Sequence, residues 1–278
     1  MKEACGVVGI MAPGRAVSHL VYDALVALQH RGQESAGIAV SDGDRILVYK
    51  DMGLVAQVFT ENDLAVLTGK IAIGHTRYST TGSSNWANAQ PTLRSTDNGT
   101  LALAHNGNLT NTGDLAERLF KSSGDAQNHL HATTDTEIMT ALISLEKSGS
   151  VEANALSILP TLQGAFSLIF MDENTLYAAR DRHGIRPLVI GKLETGWVVA
   201  SESAALDIVG ASFIREVEPG EFIAIDEDGL RSHHWTTPEP RGCIFEYVYL
   251  ARPDTIIAGE SVHPVRVAIG ERLAAEHP

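Results

Sequence analysis

Short runs of apolar residues closed by turn chemistry recur along the chain. They predict strands over 6–11, 36–40, 45–50, 71–75, 101–105, 166–171, 176–179, 188–190, 197–200 and 222–225. The stretches SDGD at 41–44, DEN at 172–174 and DEDG at 226–229 separate such runs and read as hairpin turns, so neighbouring strands pair antiparallel. Apolar residues at helical spacing predict helices over 17–28, 114–120 and 151–159. The clearest helix lies in TDTEIMTALISLEKSG: Thr134 and Glu137 fit a capping box, and Ile138, Leu142 and Leu145 form one stripe with Met139 and Ile143 beside it. Gly149 offers a stop. Strands in both halves with helices between them imply an α+β fold, two antiparallel sheets layered with helices. Neither an internal repeat nor a low-complexity tract interrupts the pattern. From Arg241 it changes: CIFEYVYLARPDTIIAGESVH is aromatic and then polar, and PVRVAIGERLAAEHP reads as a helix with Val265, Ile269 and Leu273 on one side.

Length adds that 278 residues suffice for one large domain or two small ones. A hydrophobic content of 44% and a charged content of 20% are ordinary for a soluble globular protein. The 34 acids outnumber the 21 Lys and Arg for a net charge of -13, which disfavours nucleic acid as a partner. Nothing approaches the roughly 18–20 unbroken apolar residues of a membrane helix. The start, Lys2 and Glu3 before a brief apolar run, is not a secretion signal, so a cytoplasmic protein without membrane partners is expected. Two cysteines make no disulfide framework there, and Cys5 and Cys243 need separate explanations.

Cys5 opens the first predicted strand, in the stretch ACGVVGI. A free cysteine is commonly a small buried hydrophobe. The alternative is a nucleophile exposed by cutting after Ala4. That cut would leave the thiol beside its own α-amine, whose pKa of about 7.7–8.0 suits a general base. Three polar segments bear on the choice: QHRGQESAG at 29–37, GHTRYSTTG at 74–82 and AHNGNLTN at 104–111. Singly each is a loop, Asn106-Gly107 is a turn signal, and Arg77 is a surface or structural cation.

In this order after CGVVGI, the segments resemble the class II glutamine amidotransferases. TTDTE at 133–137, GAFSLIF at 164–170, ARDRHGIRPLVIG at 179–191 and ASES at 200–203 continue the resemblance in that family's order. QHRGQESAGIAV and GHTRYSTTG look like the branch whose ammonia goes to phosphoribosyl pyrophosphate in the first committed step of purine synthesis. CIFEYVYLARPD at 243–254 looks like that branch's junction between its glutaminase and phosphoribosyltransferase domains. The Trp expected after the arginine in the glucosamine-phosphate branch is not there; Tyr78 stands in its place.

The resemblance implies a four-layer αββα N-terminal-nucleophile hydrolase sandwich. It implies a leader, residues 1–4, removed on maturation, an amidotransferase domain over 5–240, and at 241–278 the junction and start of a phosphoribosyltransferase domain. In roles carried over from it, Cys5 attacks the side-chain amide of L-glutamine, and Asn106 and the Gly107 N–H form the oxyanion hole. Arg77 grips the substrate carboxylate and Asp135 its ammonium, though Asp135 also sits where a helix N-cap belongs. Arg31 and Gly32 line the pocket, Thr80 forms its floor, and Tyr78 either senses the partner domain or is a core tyrosine. His30, His75, His105, His129 and His131 lack metal-ligand spacing, and RDRHGIRP reads as a turn shaped by Gly184 and Pro187. No cofactor is expected within this chain. The full-length family enzyme uses Mg2+, and some members hold a [4Fe-4S] cluster near Cys243. Such a cluster takes about four thiolates, so further sequence would have to supply the rest. A homo-oligomer is implied for the full-length protein. The nearest approach to a phosphoribosyl pyrophosphate site, FIAIDEDGL at 222–230, reads better as a hairpin. The alternatives are a glutaminase domain of another class II amidotransferase and a non-catalytic module of the same fold.

Overall fold

Every apolar run expected as a strand forms one in the computed structural model, which describes residues 5–78, 85–123, 130 and 132–278. In chain order the elements are β1 (Gly6–Met11), α1 (Val17–Ala27), β2 (Ser35–Ser41), β3 (Ile46–Met52), α2 (Val55–Val58), α3 (Glu61–Val66) and β4 (Ile71–Arg77). Then come β5 (Thr92–Thr96), β6 (Gly99–Leu109), α4 (Thr112–Ser123), α5 (Asp135–Leu145), α6 (Val151–Ile158), β7 (Gly164–Met171) and β8 (Leu176–Arg180). The sandwich finishes with β9 (Val189–Leu193), β10 (Gly196–Ala200), α7 (Ser203–Ile208), β11 (Ser212–Glu216), β12 (Glu221–Asp226) and β13 (Gly229–His234). Beyond it lie a π-helical turn at Glu246–Leu250, a small ladder of β14 (Ile256–Ile257) with β15 (Glu260–Ser261), and α8 (Val262–Glu276).

The strands make two antiparallel sheets. One has the order β11-β9-β10-β1-β4-β2-β3, the other β13-β12-β8-β7-β6-β5. Alternation within β1 explains the layering. Val7 and Met11 point between the sheets and pack with Ala102, Ala104 and Ile169, while Val8 and Ile10 point outward to Val21 and Leu25 of α1. A second outer layer covers the other sheet, where Met139, Leu142 and Ile143 of α5 meet Leu101, Leu103 and Phe170. The arrangement is the four-layer αββα sandwich, and it explains why the strands read as continuous apolar runs: each central strand is covered on both faces. Gly9 sets the spacing of the sheets, since a Cβ there would lie 2.7 Å from Ile169 Cγ2.

The turns follow their aspartates. Asp42 Oδ1 accepts the N–H groups of Asp44 and Arg45 at 3.0 Å each, Asp172 Oδ1 those of Asn174 (2.9 Å) and Thr175 (2.8 Å), and Asp226 Oδ1 that of Asp228 (3.0 Å). Residues 222–230 are thus the β12–β13 hairpin. RDRHGIRP is also a built turn. The Arg180 guanidinium donates to the carbonyls of Arg186 (2.8 Å), Val217 (2.6 Å) and Gly184 (2.9 Å), and Gly184 has φ +59°. Two expectations need correction. The α5 helix ends at Leu145 rather than running to Gly149, which instead turns the link to Ser150, the N-cap of α6. The α5 N-cap is Thr134, whose Oγ1 accepts the Glu137 N–H at 3.3 Å, so Asp135 is the first helical residue and not the cap. Among the described residues, no helix is long and apolar enough to cross a membrane.

Candidate active site

The alternation that buries Val7 between the sheets puts Cys5 on the same side, at the sandwich's end. Gly6 pairs with Thr76 and Val7 with His75, so Cys5 emerges opposite Arg77. Across the gap, His75 Nε2 lies 3.1 Å from the His105 carbonyl, which places Asn106 and Gly107 beyond it at the same end. The site is therefore made by three strand ends, and the fold brings Cys5, Arg77, Asn106 and Gly107 together from positions distant in sequence.

Cys5 is nearly buried, with 9% of its surface exposed. Its sulfur receives the Tyr78 N–H at 3.5 Å and lies 3.7 Å from the Tyr78 carbonyl. Burial pushes the thiol pKa up; the Tyr78 backbone hydrogen bond and the charges of Arg77 and Arg31 work against that, and Asp135 adds to it. The Asn106 side chain is buried, and its Nδ2 has no hydrogen-bond partner among the described residues. Unmet buried donors are rare because they cost about 1–3 kcal/mol. Gly107 has φ +145°, and a Cβ there would lie 2.0 Å from the Ala165 carbonyl oxygen of β7. Gly107→Ala is accordingly expected to lose about 3 kcal/mol or more of stability, from strain plus clash. Thermal unfolding checks this; a Tm equal to wild type would mean that β6 and β7 can separate freely at this point.

Arg77, 3% exposed, is held through one terminal nitrogen by Glu34 at 2.9 Å. Asp135 is buried at the start of α5, its Oδ2 accepting the Leu109 N–H at 3.0 Å and its Oδ1 the Thr136 N–H at 2.9 Å. His105 Nδ1 stands 3.6 Å from Oδ1. Burial would raise the Asp135 pKa, but the charge and hydrogen bond of His105 and the two backbone amides outweigh it and hold the carboxyl below its usual range. Asp135 is thus a buried anion aimed at the end of β6.

Arg31 and Gly32 are also here. Gly32 lies against β4 so closely that a Cβ would sit 2.6 Å from the backbone of Thr76 and Arg77. The Arg31 guanidinium is wholly buried; its Nε donates to the Cys5 carbonyl at 3.0 Å, and its terminal nitrogens meet Glu202 and Glu246. Tyr78 is 41% exposed beside the thiol, which rules out a buried core tyrosine. Thr80, His129, His131 and the leader Met1–Ala4 lie outside the described residues. Sequence reasoning assigned no role to Glu34, Glu202 or Glu246. The last two sit inside the motifs ASES and FEYVY, each as its one acid, and that place was the available signal.

Among the described residues, no group of three or more His, Cys, Asp and Glu converges as a metal site. Cys243 is half-buried, a free thiol in a cavity it shares with Arg180, His183 and Glu246. That lining supplies one cysteine where a cluster takes about four, so it does not hold an iron–sulfur cluster by itself.

A family profile described as "Glutamine amidotransferase domain" matches residues 75–208. Amidophosphoribosyltransferase of Mycobacterium tuberculosis is 59% identical over 280 residues, covering 100% of this chain and 53% of the relative. The enzyme of the same name from Synechococcus elongatus is 50% identical over 285 residues, covering 100% of this chain and 57% of the relative. The solved structure of glutamine phosphoribosylpyrophosphate amidotransferase from B. subtilis, complexed with ADP and GMP, superposes with a TM-score of 0.90 at 40% identity, covering 98% of this chain and 58% of that one. With its sandwich and its strand-end thiol, the chain is similar to glutamine amidotransferases, over residues 75–208 by the family profile and over 98% of its length by the fold. Among these it is similar, from end to end, to amidophosphoribosyltransferases, and it spans about half the length of the curated relatives it matches.

Proposed function

We propose that this chain hydrolyses the side-chain amide of L-glutamine and supplies the ammonia to a phosphoribosyltransferase domain of the same protein, in the first committed step of purine synthesis. The observation that carries this reading is the unpartnered Asn106 Nδ2, a buried donor at the same strand ends as Cys5. An oxyanion would complete it.

The chemistry follows. Removal of Met1–Ala4 frees the Cys5 α-amine, which takes the thiol proton. The thiolate sulfur bonds to the amide carbon, and the resulting oxyanion is held by Asn106 Nδ2 and the Gly107 N–H. The α-ammonium returns the proton to the leaving nitrogen, the C–N bond breaks, and ammonia departs from a Cys5 thioester. Water then adds to the thioester carbon with the α-amine again as base, and glutamate leaves with the thiol restored. Arg77 matches the substrate α-carboxylate and Asp135 its α-ammonium; Arg31, Gly32 and Thr80 complete the pocket wall. Tyr78, exposed beside the sulfur, is the contact through which a partner domain is sensed. A cytosolic location and self-assembly of the full-length protein belong to the same reading. Mg2+ would serve the phosphoribosyltransferase reaction, outside the residues described here.

Asp135→Asn tests the assignment of binding against chemistry. KM for glutamine is expected to rise roughly 10- to 100-fold, the scale of a lost charge-assisted bond of about 1.5–3 kcal/mol, with kcat little changed. Steady-state kinetics decide, with a melting curve to confirm folding. A fall in kcat at unchanged KM would remove Asp135 from the ammonium site.

A further inference from the structure

Apart from Arg31, already placed at the pocket wall, the buried ion cluster behind Cys5 takes no part in the hydrolysis just described. Its centre is Arg31, which donates Nε to the nucleophile's own carbonyl at 3.0 Å. The same guanidinium forks onto Glu246, Nη2 to Oε1 at 2.9 Å and Nη1 to Oε2 at 3.0 Å, and Nη1 also reaches Glu202. Glu246 is the first residue of the π-helical turn in the junction motif. Glu202, with no exposed surface, accepts from His30 Nε2 (2.8 Å), from the Arg252 backbone N–H (2.9 Å) and from the Thr255 hydroxyl (2.6 Å). Arg252 and Thr255 belong to the loop that follows the turn. One carboxylate thus comes from the junction and the other is bonded to it, and both grip the cation that grips Cys5. Arg186 Nη1, 3.8 Å from Glu246 Oε1, supplies a second positive charge.

A segment that merely led to another domain would not need a buried acid. Removing a carboxylate from water is costly unless a partner meets it with good geometry. Here the geometry is a bidentate fork, which fixes orientation as well as distance. The turn is secured from its far side as well. Arg266 of α8 donates to the Tyr247 carbonyl at 2.6 Å and to the Ala251 carbonyl at 2.7 Å.

We propose that Arg31 is a positioning residue that couples the seating of the junction segment to the backbone placement of the nucleophile. When the Glu246 turn is docked, Arg31 is locked and draws the Cys5 carbonyl to one position. When the turn shifts, the guanidinium follows its carboxylates and the thiol leaves its line of attack. A domain attached through this segment therefore governs glutamine hydrolysis through Glu246 and Arg31. The inference rests on reading Cys5 as the nucleophile.

The test is a double-mutant cycle in the full-length protein. Glu246→Gln is expected to lower kcat for glutamine hydrolysis about 10- to 100-fold, because a misplacement of about 1 Å costs roughly 10²-fold. KM should stay within about twofold, since Arg77 and Asp135 stand on other elements. Arg31→Gln should be at least as severe, and adding Glu246→Gln to it should change kcat less than about twofold, because the path is already cut. Hydrogen exchange of the β1 amides should rise in each single variant and no further in the double one. Arg266→Gln, half-buried and remote from the thiol, should lower kcat several-fold by loosening the same turn, and it carries the test should Glu246→Gln fail to fold. Additive effects on kcat, a change in KM alone, or β1 exchange indifferent to Glu246 and Arg266 would overturn the coupling. Wild-type protein that does not hydrolyse glutamine would instead refute the functional reading, and the exchange measurement would still decide whether the junction and β1 are linked.

Discussion

Cys5→Ala is expected to lower glutamine hydrolysis by about 10⁶-fold, the scale on which a covalent nucleophile is lost, while the protein still folds. The two halves of this expectation have separate causes. The chemistry ends because no other side chain at the strand ends can form the thioester. The fold persists because the exchange removes a single atom, whose hydrogen-bond partner among the described residues is the Tyr78 backbone, at 3.5 and 3.7 Å. Circular dichroism and a melting curve should match wild type within about 1 kcal/mol. A glutamine-like electrophile, diazo-oxo-norleucine, should label Cys5 and leave Cys243 untouched in a peptide map. Burial holds the Cys5 thiol above its ordinary pKa, so alkylation by neutral iodoacetamide should be slow at neutral pH and accelerate only above the usual thiol range. Label confined to Cys243, or activity retained in the alanine variant, would end the assignment.

Asn106→Ala is expected to lower kcat about 10²- to 10³-fold with KM nearly unchanged, because its donor is needed only once the oxyanion exists. Stability should behave unusually for a buried polar residue. Such truncations commonly strand a partner and cost about 1–3 kcal/mol. Here the Nδ2 that is discarded has no partner among the described residues, so its removal strands nothing on that side. A Tm close to wild type alongside the drop in kcat is the signature of a donor held for a transient charge. A large loss of stability with kcat intact would make Asn106 a structural residue of β6.

How much was legible in the sequence depended on which faces an element buries. Strands covered on both sides, such as β1, β4 and β7, are unbroken apolar runs, and their expected bounds agree with the observed ones to within two residues. Within the sandwich, the strands that gave no such signal are β5, β11 and β13, and all three are sheet edges. TLRST and SFIRE expose Leu93, Phe213 and Ile214, and GLRSHH is mostly polar, so no continuous run marks them. At the site, the resemblance supplied which residues to inspect, and alternation then explains why Cys5 and Asn106 face one gap. The ionic partners were less accessible. Pairings between Arg31 and Glu246 or Arg77 and Glu34 depend on which loops fold over the strand ends, and residue spacing carries no record of that.

The place of β1 within its sheet has a consequence for biosynthesis. Its neighbours are β4 on one side and β10 on the other, with Val8 opposite Ala200. At the usual ~5–20 residues per second, a ribosome needs roughly 10–40 s to carry synthesis from the first of these strands to the last. Through that interval β1 can lie against β4 but has an open edge, and the Ser201 hydroxyl that receives the Val7 N–H has not been made. The thiol is translated ahead of every strand that walls it, yet its surroundings close only after β10 and the Glu246 turn have followed. A nascent chain stalled before β9 would therefore display Cys5 without the walls that later shield it, and any maturation that needs the finished site must wait until translation has passed Glu246.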